Sequence, residues 1–467
     1  MNDANSALQA VNVLNDVNGL GQDLRKAARG RVLVRGDDGF DTVRLPWDAS
    51  VDQRVLAVVE AADATAVAAV VAVARLAGLG VATQPYGHAP AAFEGAILLR
   101  TGKLRGVEVD PQRRTARVEA GATWGDVLSA AGKHGLTGLA GSTGIVSATG
   151  FTLGGGLSWF SRKYGFAADS ARAFEVVDSY GDRSRVTAES DPELFWALRG
   201  GGGDFALVTA MEIDLHPAAQ LYGGRILWPA ARAPEVLAAY RSVTANAPDE
   251  LSVWFQLLQF PPLPELPEPL RGLPAVIVDA TFLGEASEGR ALLREFDAIP
   301  GAIIDTRDRT EVANLSDICA EPTDPMPTLF RGELLTDLDD AAAEALLTSS
   351  GRDTIAPLTY VQLRHLGGAL ARPAGSGGAC GHIEEPYLLG MLGVLVTPEA
   401  ADPIRDRQKS ISRTLTPYTS GRKPFTFLAP EESAASAFPS DVLTRLRGIK
   451  HRRDPAGVFR SNHPVLG

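Results

Sequence analysis

Short apolar runs broken by turn-forming residues fill the first 220 positions, and their period changes along the chain. Leu56–Glu60 predicts a strand, and Asp63 caps an Ala/Val-rich helix that stops near Gly78 and Gly80. Val81–Gln84, Ala96–Arg100 and Arg117–Ala120 predict further short strands. Thr123 and Asp126 form a capping-box pattern that opens a helix over Trp124–His134. Phe174–Asp178 and Ser184–Thr187 flank Gly181-Asp182 and predict a hairpin. Asp191-Pro192 starts a helix with Leu194, Phe195 and Leu198 on its apolar face, and Gly200–Gly203 end it before the strand Ala206–Leu215.

The texture then changes. Leu251–Phe260 and Ala275–Leu283 predict a strand pair around an exposed Pro-rich loop. Helical patterns follow at Ala286–Ala298 and Asp337–Ser349, and strands at Leu358–His365 and Leu388–Val396. Segregated helices and strands predict an α+β layer on an antiparallel sheet. Asp402–Leu415 and the basic stretch before Asp454-Pro455 return to helix.

Composition narrows the partners. With 467 residues, two domains are expected. The net charge of −11 argues against nucleic acid or an anionic membrane as partner. Two cysteines, Cys319 and Cys380, are too few and too far apart for a metal knuckle or a disulfide scaffold, so no metal is expected. The first twenty residues lack the basic and apolar blocks of a signal peptide, and Arg75 and Gly78 interrupt the one long apolar stretch. A cytoplasmic protein is expected.

The chemistry concentrates in Ala140–Tyr164, a glycine-rich stretch with no helical or alternating period. An irregular loop with many free backbone N–H groups suits a pyrophosphate and a polar ring edge. Neither Gly154–Gly156 nor Gly200–Gly203 is a nicotinamide fingerprint, which needs strand, glycines, helix and then an acidic residue. His88 follows a strand directly in Tyr86-Gly87-His88, a position that favours a site.

These segments together resemble the flavin-binding domain of the vanillyl-alcohol-oxidase superfamily, in its berberine-bridge-enzyme-like branch. The resemblance is carried by Phe40–Arg54, Tyr86-Gly87-His88, Thr143–Gly165, the string Asp191–Phe205, and Asp454-Pro455 with Phe459 and Asn462. It implies a PCMH-type FAD-binding domain over residues 1–217, completed by residues 400–467. Residues 218–399 would form a substrate domain, an antiparallel sheet covered by helices. It also implies FAD bonded through His88. Around the cofactor would stand Gln84, Pro85, Tyr86, Gly87 and Ala89, then Gly141, Ser142, Thr143, Gly144, Val146, Ser147, Thr149, Gly150 and Gly155, with Val208 and Asn462.

Three departures matter. Thr143 stands where doubly tethered members carry a cysteine, so one covalent bond is the maximum. Gln84-Pro85-Tyr86 replaces the usual Arg-Gly-Gly. Phe427 replaces the tyrosine that often serves as base, so the base lies elsewhere or the reaction needs none. Candidate bases and substrate contacts are Tyr360, Gln362, Arg364, His365, Tyr387 and Tyr418; strand alternation sets His365 on the face opposite Tyr360, Gln362 and Arg364.

The implied activity is oxidation of a small organic substrate, with hydride passing to flavin N5 and O2 returning the flavin with release of H2O2. Val146 favours reaction with oxygen by the same resemblance. A flavin-dependent oxidative cyclase or redox-neutral enzyme is the second reading, and a non-catalytic flavin-binding protein the third. The expected partners are a small-molecule substrate and O2, in a monomer or homodimer.

Overall fold

A computed structural model describes residues 17–261, 268–351, 354–373, 375 and 377–467. Part of the Pro-rich loop between the two middle strands, and most of the opening segment read for a signal peptide, lie outside the described residues.

Three sheets carry the architecture. The first is a five-stranded mixed sheet in the order Gly30–Val34, Ala57–Ala61, Ile97–Arg100, Val81–Thr83, Phe459–Arg460. Its inner strands pair in parallel, which requires crossovers such as the helix Ala64–Leu76. Asp63 starts that helix by accepting a hydrogen bond from the Ala66 amide at 2.8 Å. The C-terminal pair Phe459–Arg460 lies beside Val81–Thr83 in parallel, so the end of the chain completes the sheet.

The second sheet is antiparallel: Val107–Asp110, Thr115–Glu119, Leu207–Asp214, Ala171–Val177, Arg183–Val186. The helix Trp124–Gly132 packs beside it and starts from the expected capping box, with Thr123 N to Asp126 Oδ2 at 2.9 Å and Asp126 N to Thr123 Oγ1 at 3.2 Å.

The third sheet has eight strands, all antiparallel, with Tyr222–Pro229, Pro274–Phe282, Leu251–Gln259, Tyr360–His365, Tyr387–Val394 and Thr328–Leu335 as successive neighbours. Helices Ala233–Ala245, Asp340–Ser350 and Ala401–Leu415 bury one face of it with a core that includes Trp228, Val236, Tyr240, Leu346, Val361, Leu363 and Ile411. Residues 401–415 therefore pack on the third sheet: Gln408 Nε2 donates to the carbonyls of Leu329 and Met391, each at 3.0 Å. The other face of this sheet turns toward the first two.

Among the described residues, no helix is long and apolar enough to cross a membrane.

Candidate functional site

The strand Val81–Thr83 lies inside the first sheet, so the chain leaving it begins from a fixed point. Gln84 N donates to the Leu99 carbonyl at 3.0 Å, and its buried side chain accepts from Gln53 Nε2 at 3.0 Å. The next turn is held from both sides. Tyr86 Oη donates to the Gly121 carbonyl at 2.7 Å, and the Tyr86 and Gly87 carbonyls accept from Trp47 N and Asp48 N at 2.8 and 3.0 Å. Gly87 is required here: its φ is +85°, and a Cβ would stand 2.6 Å from Pro46 Cβ.

His88 follows with its ring stacked on Trp47, centroids 4.7 Å apart at 23°. Its Nε2 is buried and has no hydrogen-bond partner. Burial pulls its pKa down to about 4, so the imidazole is neutral near pH 7. The Asn462 side chain donates to the Ala89 carbonyl and ties the C-terminal segment to this loop.

The glycine-rich stretch faces this turn. Trp124 N to Val146 O at 2.9 Å and Gly125 N to Gly144 O at 2.8 Å pin it to the start of the helix Trp124–Gly132. Ser147 caps the helix Ala148–Leu153, accepting from Gly150 N at 3.2 Å. Gly144 N donates to Ser316 Oγ at 2.8 Å, across to the third-sheet layer. A cavity of about 810 Å³ opens between the loops, lined by Trp47, Tyr86, His88, Gly144, Ile145 and Thr323, together with Lys133 and the ion-paired Arg105 and Asp126.

A large anionic ligand with a flat ring fits this site. Among the described residues, the backbone N–H groups of Tyr86, Gly87 and His88, and of Gly141, Ser142 and Thr143, donate to no protein acceptor. Two sets of free N–H groups, an orphaned imidazole nitrogen and a cavity of this size are what a dinucleotide flavin needs. Thr149 adds a buried hydroxyl without a partner. Val208 is buried in the second sheet, paired with Val176, and Gly155 packs against Phe166 and Cys380, outside the residues lining the cavity.

The inward face of the third sheet completes the site. Trp254 pairs with Arg364 and Gln256 with Gln362 across two neighbouring strands, so these four side chains share one face. Gln362 Nε2 donates to Gln256 Oε1 at 3.0 Å, and Arg364 Nε to Gln362 Oε1 at 2.7 Å. The Arg364 guanidinium sits 4.1 Å over the Trp254 ring and 5.3 Å over Phe427. Trp254 in turn stacks on Trp159 of the glycine-rich stretch, centroids 3.5 Å apart.

Glu321 reaches the same place from the loop after Cys319. Burial raises its pKa above the usual carboxyl value, with the nearby Arg364 charge and Ser142 side chain opposing. Tyr360, nearby, is also pushed up by burial and by Glu321.

Three expected candidates need correction. His365 points to the helix-covered face, with its Nε2 2.9 Å from Arg162 Nη1, and burial together with that charge pushes its pKa down to about 2. Tyr387 is on the same covered face, its hydroxyl 3.0 Å from Thr244 Oγ1. Tyr418 packs against that core from the turn after Ala401–Leu415. None of the three borders the cavity or the Arg364 face. Tyr360, Gln362 and Arg364 do share a face, as alternation requires.

Glu321, Trp254 and Gln256 were not among the expected site residues. Alternation along Leu251–Phe260 would have set Trp254 and Gln256 on one face. Glu321 lies in an irregular Cys-Ala-Glu-Pro run that carries no periodic signal.

Comparison with known proteins agrees with the geometry. Residues 55–187 match the FAD binding domain family. The chain is 27% identical to (R)-6-hydroxynicotine oxidase of Paenarthrobacter nicotinovorans over 462 residues, covering 94% of this chain and 96% of that protein. Among solved structures it is similar to 6-hydroxy-D-nicotine oxidase from Arthrobacter nicotinovorans, with a TM-score of 0.80 at 23% identity over 94% of this chain and 98% of that one. It is also similar to Physcomitrella patens BBE-like 1, with a TM-score of 0.82 at 20% identity over 96% of this chain and 98% of that one.

Proposed function

We propose that this chain, an FAD-linked oxidoreductase of the berberine-bridge-enzyme-like family, is an oxidase acting on a small organic alcohol or amine. The observation that carries the reading is a juxtaposition. Glu321 lies within electrostatic reach of both Ser142, on the loop with free N–H groups, and Arg364, on the face it shares with Tyr360 and Gln362.

FAD, when bound, supplies the hydride acceptor, and O2 returns it to the oxidised state with release of H2O2. The chain's residues do the rest. Tyr86–His88 and Gly141–Thr143 hold the pyrophosphate and polar ring edge through backbone N–H groups. Neutral His88, its ring clamped by Trp47, is positioned for the single covalent tether. Gln362 and Arg364, joined to Gln256 and Trp254, fix the substrate's orientation. Glu321 takes the proton from the substrate hydroxyl or amine; its raised pKa makes it a stronger base than an exposed carboxylate. Phe427 stands beside Arg364 and has no group to take that proton.

Cytoplasmic residence and a monomeric or homodimeric state belong to the same proposal; two free thiols support the first. The test is the absorption spectrum of the purified protein, flavin fluorescence in a denaturing gel, and peroxide release over a panel of alcohols and amines. Yellow protein, a fluorescent band and peroxide with at least one substrate are expected. A colourless protein that takes up no FAD overturns the reading.

A further inference from the structure

Several buried and half-buried arginines among the described residues have their terminal nitrogens taken up by acceptors. Arg225 pairs with Asp279 at 2.7 Å, and Arg331 with Glu333 at 2.9 Å. Arg162 gives its nitrogens to the carbonyls of Leu251, Ala247 and Leu366. Arg364 is different. Its Nε is bonded to Gln362, but among the described residues neither terminal nitrogen donates to any acceptor, and no carboxylate stands at ion-pair distance. Glu321 acts on it only through space. Nor are those nitrogens sealed: the side chain is half-buried, and its terminal atoms are not among the buried groups without partners.

The group is also held rigid. Trp159 and Trp254 stack, Arg364 lies over Trp254, and Phe427 is beside it. The Gln256–Gln362 amide chain fixes the Nε edge. What remains is a planar fork of unclaimed donors, preorganised and facing the flavin loop. Four N–H bonds without a protein acceptor, on a rigid and partly exposed guanidinium, are open to a ligand. A carboxylate matches that fork in bidentate fashion, and the aromatic floor beside it favours a flat apolar body.

We infer that Arg364 is the substrate-selecting residue of this site, and that the substrate is a planar or aromatic compound bearing a carboxylate. The inference rests on the oxidase reading for its catalytic meaning, but the binding event does not need turnover. The probe is benzoate against its neutral isostere benzamide, titrated into the holoenzyme and followed by the flavin absorption band. The same titration into flavin-free protein, followed by tryptophan fluorescence, keeps the two readings separable.

Benzoate is expected to bind at least 10-fold tighter than benzamide. Arg364→Met is expected to weaken benzoate by about 10- to 100-fold and to leave benzamide unchanged. Arg364→Lys keeps the charge without the fork and should fall between the two, which preserves the test if the methionine variant folds poorly. Equal affinity for benzoate and benzamide, no benzoate binding, or unchanged benzoate affinity in both variants overturns the inference. A protein that binds benzoate through Arg364 yet never takes up FAD overturns the oxidase reading alone.

Discussion

Lys450→Met should destabilise the FAD-binding part of the molecule far more than a single lysine usually would. Lys450 Nζ donates to the Asp204 carbonyl at 2.8 Å, to Asp454 Oδ2 at 2.8 Å and to the Phe459 carbonyl at 2.9 Å. Asp454 also accepts from Val458 N and Phe459 N, each at 2.8 Å, and Asp204 from Val465 N at 2.7 Å. The side chains are 5%, 0% and 2% exposed for Lys450, Asp454 and Asp204, so water cannot replace the ammonium. Removing it leaves two buried carboxylates without a counter-charge, a loss of about 3–5 kcal/mol. For a unit of this size that corresponds to a fall of roughly 6–20 °C in Tm.

The natural control is Arg452→Gln. Arg452 stitches the same helix to Glu193, but the two side chains are 59% and 37% exposed, so about 0–1 kcal/mol is expected. Thermal unfolding followed by circular dichroism reads both. Lys450→Met with Asp454→Asn should recover part of the loss, because one stranded charge is gone. A Tm shift in Lys450→Met no larger than in Arg452→Gln would refute the argument that burial, and not position in the helix, sets the energy. Flavin retention should fall with stability, since Phe459–Arg460 pairs with Val81–Ala82, directly before the His88 turn.

Three further outcomes are expected. His88→Ala should remove flavin fluorescence from the denatured band while leaving some FAD bound to native protein, because the free N–H groups of Gly141–Thr143 remain. Glu321→Gln should lower kcat by about 10²- to 10⁴-fold; wild-type rate should rise with pH through a pKa above the ordinary carboxyl value, and the variant should lose that limb in a stopped-flow pH profile. Acid should destabilise the protein through His365: the unfolded imidazole takes a proton near pH 6.5, whereas the folded one resists it down to about 2. The unfolded state then binds more protons across that window, so stability falls as pH drops, by about 1.4 kcal/mol per unit. Denaturant titrations of His365→Gln between pH 4 and 7 should show a shallower slope.

Much of this fold was legible because local signals and tertiary needs agree. Asp63, Thr123 and Asp191 each cap the helix that the sequence assigns them. Alternation in Tyr360–His365 sorted Gln362 and Arg364 from His365 correctly, because the sheet has helices on one face only. Gly30–Val34, Tyr222–Pro229 and Thr328–Leu335 were not read as strands. The last two carry glycine or charge at positions where neighbouring strands, not propensity, supply the order. Residues 401–415 belong with the third sheet and not with the first domain: Ile404, Ile411 and Leu415 match its apolar face, a fit that only the folded arrangement reveals.

The most recognisable string, Asp191–Phe205, turns out to act mainly through the C-terminal helix. Asp191 pairs with Arg453 at 2.7 Å, Glu193 with Arg452, Asp204 with Lys450, and Trp196 lies under Arg445 at 3.7 Å. A string can thus stand out because it joins distant parts of the chain, and not because it touches the ligand. The proposed chemistry sits instead where the two halves of the molecule meet, in segments with little periodic signal. Trp47 stacks on His88 and donates from Nε1 to the Thr323 carbonyl at 3.1 Å. Asp48 accepts from Thr328 N at 3.0 Å and Thr328 Oγ1 at 2.9 Å, and Glu321 lies beside Ser142. One short segment, residues 321–328, therefore touches Trp47, which stacks on the residue expected to tether the flavin, and lies beside the loop expected to hold its ring. Any shift of that segment moves the proposed base and the proposed tether together, so substrate binding against Arg364 and cofactor seating at His88 should be coupled through it.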